Sequence, residues 1–200
     1  MIAIVDYGAG NLFSVKNALD FLGFDSVITA DRGVAEAADK LILPGVGAFP
    51  DAMGKLEAAG LAEVIKTEAR RKPLLGICLG MQMLFEWGHE FAKTKGLGLI
   101  GGYVDKISAP GLKVPHMGWS DLHPSSPCAL SEGVEEGDRA YFVHSYKAVM
   151  ADPRNLSLYT DYGERIPGLV FEGQVYGCQF HPEKSGRVGL GILRNFCELG

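Results

Sequence analysis

The sequence predicts an α/β fold: a three-layer arrangement whose central sheet is mostly parallel, with antiparallel additions in the C-terminal half. Three observations carry this. Short apolar runs alternate with helix-period segments through the first half, and those runs are nearly unbroken in apolar character, as strands covered on both faces are. Beyond residue 99 the helical patterns give way to closely spaced strand-like runs separated by Gly, Pro, Asp and Asn. At 200 residues the chain has about the length of one domain, since domains run to roughly 100–200 residues. One domain over 1–200 is therefore expected, with no repeat and no linker.

The elements follow in order. Residues 2–5 (Ile-Ala-Ile-Val) read as a buried strand ending in Asp6-Tyr7-Gly8-Ala9-Gly10. Residues 14–22 place Val15, Ala18, Leu19 and Leu22 on one helical face, and Gly23 stops the helix. Residues 26–29 and 40–43 are the next strands, the second closed by Pro44-Gly45-Val46-Gly47. A long amphipathic helix is expected over 51–71, with Gly60 its weak point. A strand over 73–77 and a helix over 79–87 follow. Strands are expected over 99–107, 140–146, 156–160, 169–172 and 174–180, with a hairpin turn at Glu172-Gly173 and a closing helix over 186–199.

Composition narrows the function. With 47% hydrophobic and 22% charged residues, the chain is neither disordered nor of low complexity. Nineteen Lys and Arg against 24 Asp and Glu leave a net charge of −5, and no cationic run exceeds Arg70-Arg71-Lys72. Nucleic-acid binding rests on clustered cations, so that partner is not expected. No apolar run approaches the ~20 residues of a membrane span. Met1-Ile2-Ala3-Ile4-Val5 reaches Asp6 without the basic start of a signal peptide. Cys78, Cys128, Cys178 and Cys197 lack C-x-x-C spacing, which fits free thiols in a reduced, cytoplasmic protein. No metal is expected: His116 and His123 stand seven apart on a Pro/Gly-rich stretch, without H-E-x-x-H or paired cysteines.

The strongest local signal is Gly76-Ile77-Cys78-Leu79-Gly80, between a predicted strand and a predicted helix. It has the form of the nucleophile elbow G-x-S-x-G with Cys in place of Ser. A helix N-terminus beneath it would favour the reactive thiolate, and the Leu79 N–H would face a developing oxyanion. The plainer alternative is a small buried residue in a Gly-rich turn. A thiol needs a base, and Phe180-His181-Pro182-Glu183 supplies the best candidate, at a strand's end where α/β folds place their sites. If the chain continues extended, Glu183 points to the same side as His181 and can orient it. A solvated Glu after a His-Pro turn is the commoner arrangement. Of the rival histidines His89, His116, His123 and His144, only His89 has an acid at close range, and the adjacent Glu90 would point away.

Pro44-Gly45-Val46-Gly47 ends a neighbouring strand, and its glycines let a peptide turn an N–H toward a ligand. Val46 could give the second oxyanion donor there, although an ordinary strand-ending turn has the same sequence. Gly8-Ala9-Gly10-Asn11, with Asp31 downstream, invites a dinucleotide site. It fails at the third glycine, where Phe13 would obstruct close helix–strand packing.

With these motifs in this order the chain resembles the class I glutamine amidotransferases. More narrowly, it is similar to the glutaminase subunits of imidazole glycerol phosphate synthases in histidine biosynthesis. The residues that carry the likeness are Asp6-Tyr7-Gly8-Ala9-Gly10-Asn11-Leu12, Leu43-Pro44-Gly45-Val46-Gly47-Ala48-Phe49 and Gly76-Ile77-Cys78-Leu79-Gly80-Met81-Gln82. Val114-Pro115-His116-Met117-Gly118-Trp119, Tyr141-Phe142-Val143-His144-Ser145-Tyr146 and Gln179-Phe180-His181-Pro182-Glu183-Lys184-Ser185 complete it. The departure is Ser120, where the family pattern has Asn.

The resemblance implies a flavodoxin-like sandwich and a hydrolase of glutamine that needs no cofactor. Cys78 would be the nucleophile, His181 the proton shuttle and Glu183 its orienting acid. Val46 and Leu79 would form the oxyanion hole, while Gly47, Gln82, Glu90, Ser145 and Tyr146 would hold substrate glutamine. It further implies a heterodimer with a (β/α)8-barrel cyclase that takes ammonia through a channel, with Asn11, Met117, Trp119 and Lys184 near the interface. All 200 residues are absorbed by the glutaminase machinery, so the acceptor chemistry is expected on that partner. The alternatives at this point are a free-standing cysteine hydrolase of larger substrates, a silent scaffold subunit and a flavodoxin-like nucleotide binder.

Overall fold

The computed structural model describes residues 1–200. Strands β1 (Ile2–Val5), β2 (Ser26–Thr29), β3 (Lys40–Gly45) and β4 (Leu74–Cys78) are linked by helices α1 (Leu12–Leu22), α2 (Arg32–Ala37), α3 (Phe49–Ala58) and α4 (Ala62–Glu68). Helix α5 (Leu79–Met83) follows β4 directly, before β5 (Phe85–Gly88), β6 (Thr94–Lys95), β7 (Ile100–Lys106), β8 (His116–Asp121) and β9 (His123–Pro124). Then come β10 (Arg139–His144), β11 (Tyr146–Met150), β12 (Leu156–Asp161), β13 (Arg165–Glu172), β14 (Val175–Cys178) and α6 (Gly186–Glu198).

The main sheet has eight strands in the order β2-β1-β3-β4-β14-β13-β12-β9. Its first five pair in parallel and the remainder antiparallel, so β14 is parallel to β4 on one side and antiparallel to β13 on the other. That shared strand brings the ends of β4 and β14 side by side, with Ile77 opposite Cys178. Two small sheets, β10-β8 and β11-β7-β5-β6, pack against the antiparallel half, β8 meeting β12 and β11 meeting β13.

Both faces of the parallel half are covered. Ala3, Val5, Leu41, Leu43 and Leu74 pack with Phe49, Leu56 and Ile65 in one core, whereas Ile2, Ile4, Ile42, Leu75 and Ile77 pack with Val15, Leu19, Ile192 and Phe196 in the other. Period-two alternation thus divides each apolar run between two cores, which is why these runs show no polar face. Each such Leu, Ile or Phe withdrawn from water contributes about 1.5–3 kcal/mol. No helix is long and apolar enough to cross a membrane.

Several expected elements differ. The helix over 51–71 begins earlier, at Phe49, and is two helices: Gly60 at φ +70° ends the first turn system, its N–H bonded to the Glu57 carbonyl. The helix over 79–87 stops at Met83. Phe85 and Trp87 pair with β7 instead, and the Leu97 and Leu99 amides bond to the carbonyls of Met83 and Leu84. The run over 140–146 breaks at Ser145 into β10 and β11. The hairpin turn is shifted by one, to Gly173-Gln174, because Glu172 pairs with Val175. Helix α2 and strand β8 were not anticipated. Asp31 caps α2 by accepting from the Val34 N–H at 3.0 Å, a structural duty in place of the rejected ribose contact.

Candidate active site

Strand β4 ends in a sharp elbow. Cys78 stands at φ +54°, ψ −112°, one of two non-glycine residues at positive φ, and α5 begins with the next residue. That conformation costs about 1–3 kcal/mol and persists only when its surroundings fix it. The glycines are what let those surroundings close in. A Cβ on Gly80 would lie 1.8 Å from the Leu43 carbonyl oxygen, one on Gly45 2.5 Å from the Gly80 nitrogen, and one on Gly76 2.7 Å from the Gly80 oxygen. The G-x-C-x-G pattern therefore records backbone packing of the elbow onto β3. Because α5 spans only Leu79–Met83, it offers the sulfur a much shorter helix than the sequence suggested.

The candidate base stands at the end of the neighbouring strand. His181 follows β14, and its Nδ1 lies 2.8 Å from Glu183 Oε1, both side chains being almost wholly buried. The route differs from expectation: Pro182–Lys184 forms a turn of 3-10 helix, not an extended continuation. Ser185 pins this turn, donating from Oγ to the His181 carbonyl and accepting from the Tyr141 N–H, while the His181 N–H donates to the Tyr141 carbonyl. With Nδ1 committed to Glu183, Nε2 is left for Cys78. Burial opposes charge on the ring, but hydrogen bonds and attraction from Cys78 and Glu183 prevail and push His181 up to about 9.

Cys78 and His181 line a cavity of about 390 Å³ together with Val46, Gly47, Leu79, Gln82, Glu90, Ser145 and Tyr146. Glu183 sits behind His181. A larger cavity, about 610 Å³ between α1, α6 and the 132–138 segment, contains neither a cysteine nor a histidine. Glu90 Oε2 accepts from the Phe49 N–H at 2.7 Å, at the start of α3. Gly47 stands at φ +100° beside Val46, whose side chain is exposed.

The sequence did not reveal a polar network that lines the cavity from behind. The Tyr146 carbonyl accepts from Gln82 Nε2 (3.0 Å) and from His144 Nδ1 (2.8 Å). A carbonyl cannot donate, so His144 Nε2 must accept from His116 Nδ1 (3.0 Å), and His116 Nε2 in turn from the Ser120 hydroxyl (2.8 Å). Burial pulls His116 down to about 4 and His144 to about 3, keeping both neutral. His116 and His123 do not converge; His123 bonds Glu136. On the other branch Gln82 Nε2 also donates to Gln179 Oε1 at 2.9 Å. The one available signal for Gln179 was a polar residue inside the apolar run 174–180.

Of the expected interface residues, Met117, Trp119 and Lys184 are exposed and Asn11 is half-buried. Met117 and Trp119 are exposed at alternate positions of β8, and Trp119 packs edge-on against Tyr141, which holds the His181 turn. Asn11 Nδ2 approaches Glu183 Oε1 at 3.5 Å, and Lys184 is exposed beside it.

A doubly covered sheet with a cysteine elbow and an adjacent His–Glu pair defines an amide-cleaving thiol enzyme scaffold, and the chain belongs to the class-I glutamine amidotransferase family, which it matches over residues 3–199. The imidazole glycerol phosphate synthase subunits HisH of Bacillus thuringiensis (strain Al Hakam) and Bacillus cereus (strain 03BB102) are each 50% identical to it over 199 residues, covering 98% of this chain and 93% of theirs. Among solved structures, a glutamine amidotransferase superposes with a TM-score of 0.77 at 21% identity, covering 99% of this chain and 98% of that one. PurLQS from Thermotoga maritima superposes with a TM-score of 0.74 at 24% identity, covering 98% and 96%. At such identities these two speak for the fold alone.

Proposed function

We propose that this chain is the glutaminase subunit of an imidazole glycerol phosphate synthase, hydrolysing glutamine and passing the ammonia to a cyclase in histidine biosynthesis. The observation that carries it is the buried Cys78–His181–Glu183 arrangement at the cavity, in a chain half identical over nearly its whole length to such subunits. Cys78 attacks the carboxamide carbon of glutamine, and the carbonyl electrons move onto oxygen between the Leu79 and Val46 N–H groups. His181 gives its proton to the departing ammonia, leaving a glutamyl thioester. His181 then takes a proton from water, whose oxygen attacks the thioester, and the Cys78–acyl bond breaks to release glutamate. Glu90 meets the substrate ammonium, while Gly47, Gln82, Ser145 and Tyr146 hold the remainder. These steps use side chains, backbone and water, with no cofactor.

The ammonia acceptor is a (β/α)8-barrel cyclase docked on the rim formed by Asn11, Met117, Trp119 and Lys184, with ammonia passing through an enclosed channel. It yields imidazole glycerol phosphate and the aminoimidazole carboxamide ribotide. Four free cysteines suit a reducing, cytoplasmic setting. The catalytic orientation of the Val46–Gly47 peptide is a minor population until the partner binds, so the free chain is a poor glutaminase.

The test is glutamate release from glutamine with and without a barrel cyclase and its ribonucleotide. Strong stimulation by both is expected, and Cys78→Ala should lower stimulated release about 10⁴-fold or more with the fold intact. Brisk release that ignores the partner would make the chain a stand-alone hydrolase, and turnover by Cys78→Ala would remove Cys78 from the chemistry.

A further inference from the structure

We propose that Gln179 is a further catalytic residue, whose side-chain N–H donates to the Cys78 sulfur and favours it as thiolate; this rests on Cys78 being the nucleophile. Gln179 is completely buried between two core residues, Cys178 and Phe180. A carboxamide in such a place is strongly destabilising unless its polar atoms are partnered. Its oxygen is satisfied by Gln82 and its nitrogen faces Cys78 Sγ at 3.9 Å. The orientation is not interchangeable. The Tyr146 carbonyl obliges Gln82 to present Nε2, the same nitrogen reaches Gln179, and so Gln179 must present oxygen to Gln82 and N–H to the sulfur.

A backbone carbonyl beside the sulfur acts in the opposite sense. The Val143 carbonyl, also 3.9 Å from Sγ, can only accept and so favours the protonated thiol. Gln179 counters it with a neutral donor that does not titrate. The titratable groups around Cys78 are His181, backed by Glu183, together with Tyr7 and, lining the same cavity, Glu90, His144 and Tyr146. Of these His181 alone gains and loses its proton during the reaction. Gln179 keeps one favourable contact on the sulfur throughout, including the moment when the acyl bond breaks and the electron pair returns to it.

The experiment follows alkylation of the full chain by iodoacetamide against pH, with the Cys78 adduct resolved by peptide mass spectrometry. Gln179→Met removes the donor at similar volume. It should slow Cys78 alkylation at neutral pH about tenfold and move the profile up by about one unit. Gln179→Glu keeps the acceptor for Gln82 but sets a carboxylate oxygen against the sulfur, and should move it further. Profiles in the folded variants that coincide with the unsubstituted chain overturn the proposal. Should both variants unfold, ¹⁵N-labelled side-chain amides of the unsubstituted chain decide it. The Gln179 Nε2 resonances must follow the Cys78 titration and cease to do so in Cys78→Ala; resonances that ignore that titration overturn it equally. If Cys78 is not alkylated ahead of Cys128 and Cys78→Ala still releases glutamate, the nucleophile assignment falls and this one with it. If Cys78 is labelled with loss of release but ignores Gln179, only the present proposal falls.

Discussion

At the scale of single residues, His181 ties stability to catalysis. Its pKa is raised from 6.5 to about 9 in the folded chain, so folding gains from the added proton. The contribution is complete below about 6.5 and is lost as pH rises through about 9. Denaturant midpoints should therefore fall across that window, and the alkaline limb of glutamate release should lie near its upper end. Glu183→Gln removes one of the two supports, so both features should move to lower pH and kcat should drop by about 10²-fold or more. An alkaline limb unmoved by Glu183→Gln would dissociate Glu183 from the base. Cys78, His181 and Glu183 were legible because each sits in a short motif with its own local chemistry. Gln179 and His144 were not, since Gln82 and His116 lie on other elements and each looks like an isolated polar residue beside apolar ones; nor did the sequence show that Ser120 bonds His116, four residues back on the same strand.

The elbow is the decisive element. Its strain at Cys78 is held by contact between the 76–80 backbone and β3, which leaves no room for a methyl group at Gly80. Gly80→Ala should destabilise the chain by about 3 kcal/mol or more and abolish activity, as read by denaturant unfolding and glutamate release. A variant of unchanged stability would show the contact with Leu43 to be loose. The elbow itself could be read from its glycines, but the length of the helix after it could not. The run Leu79 to Trp87 has helical periodicity, and what ends the helix at Met83 is the pairing of Phe85 and Trp87 with β7, a long-range contact absent from local sequence. Glu183 shows the converse: it reaches His181 as expected, yet through a 3-10 turn dictated by Ser185 and Tyr141.

For the whole molecule, β14 is the organising choice. By pairing with β4 on one side and β13 on the other, it places His181 beside Cys78 and carries the antiparallel strands that support the β8–β10 rim. The parallel half was legible because its strands are nearly unbroken apolar runs. The small strands β5, β6, β8 and β9 were not, being short or rich in polar residues. Trp119 stands out on the rim, and its ring contacts Tyr141. Trp119→Ala should weaken cyclase binding by about 2 kcal/mol, roughly thirtyfold, and alter the chain's own stability by less than about 0.5 kcal/mol. Calorimetric titration with the cyclase measures the first and thermal unfolding the second; unchanged affinity would move the docking surface elsewhere.

The Tyr146 carbonyl has a consequence for where protons can travel. From it outward every hydrogen bond toward Ser120 has one permitted direction, and both imidazoles stay uncharged far below neutral pH. A proton entering His144 would set N–H against N–H at His116. The branch nearest the surface is thus a protonic insulator, and no relay of protons through it connects the cavity wall with the solvent beyond Ser120.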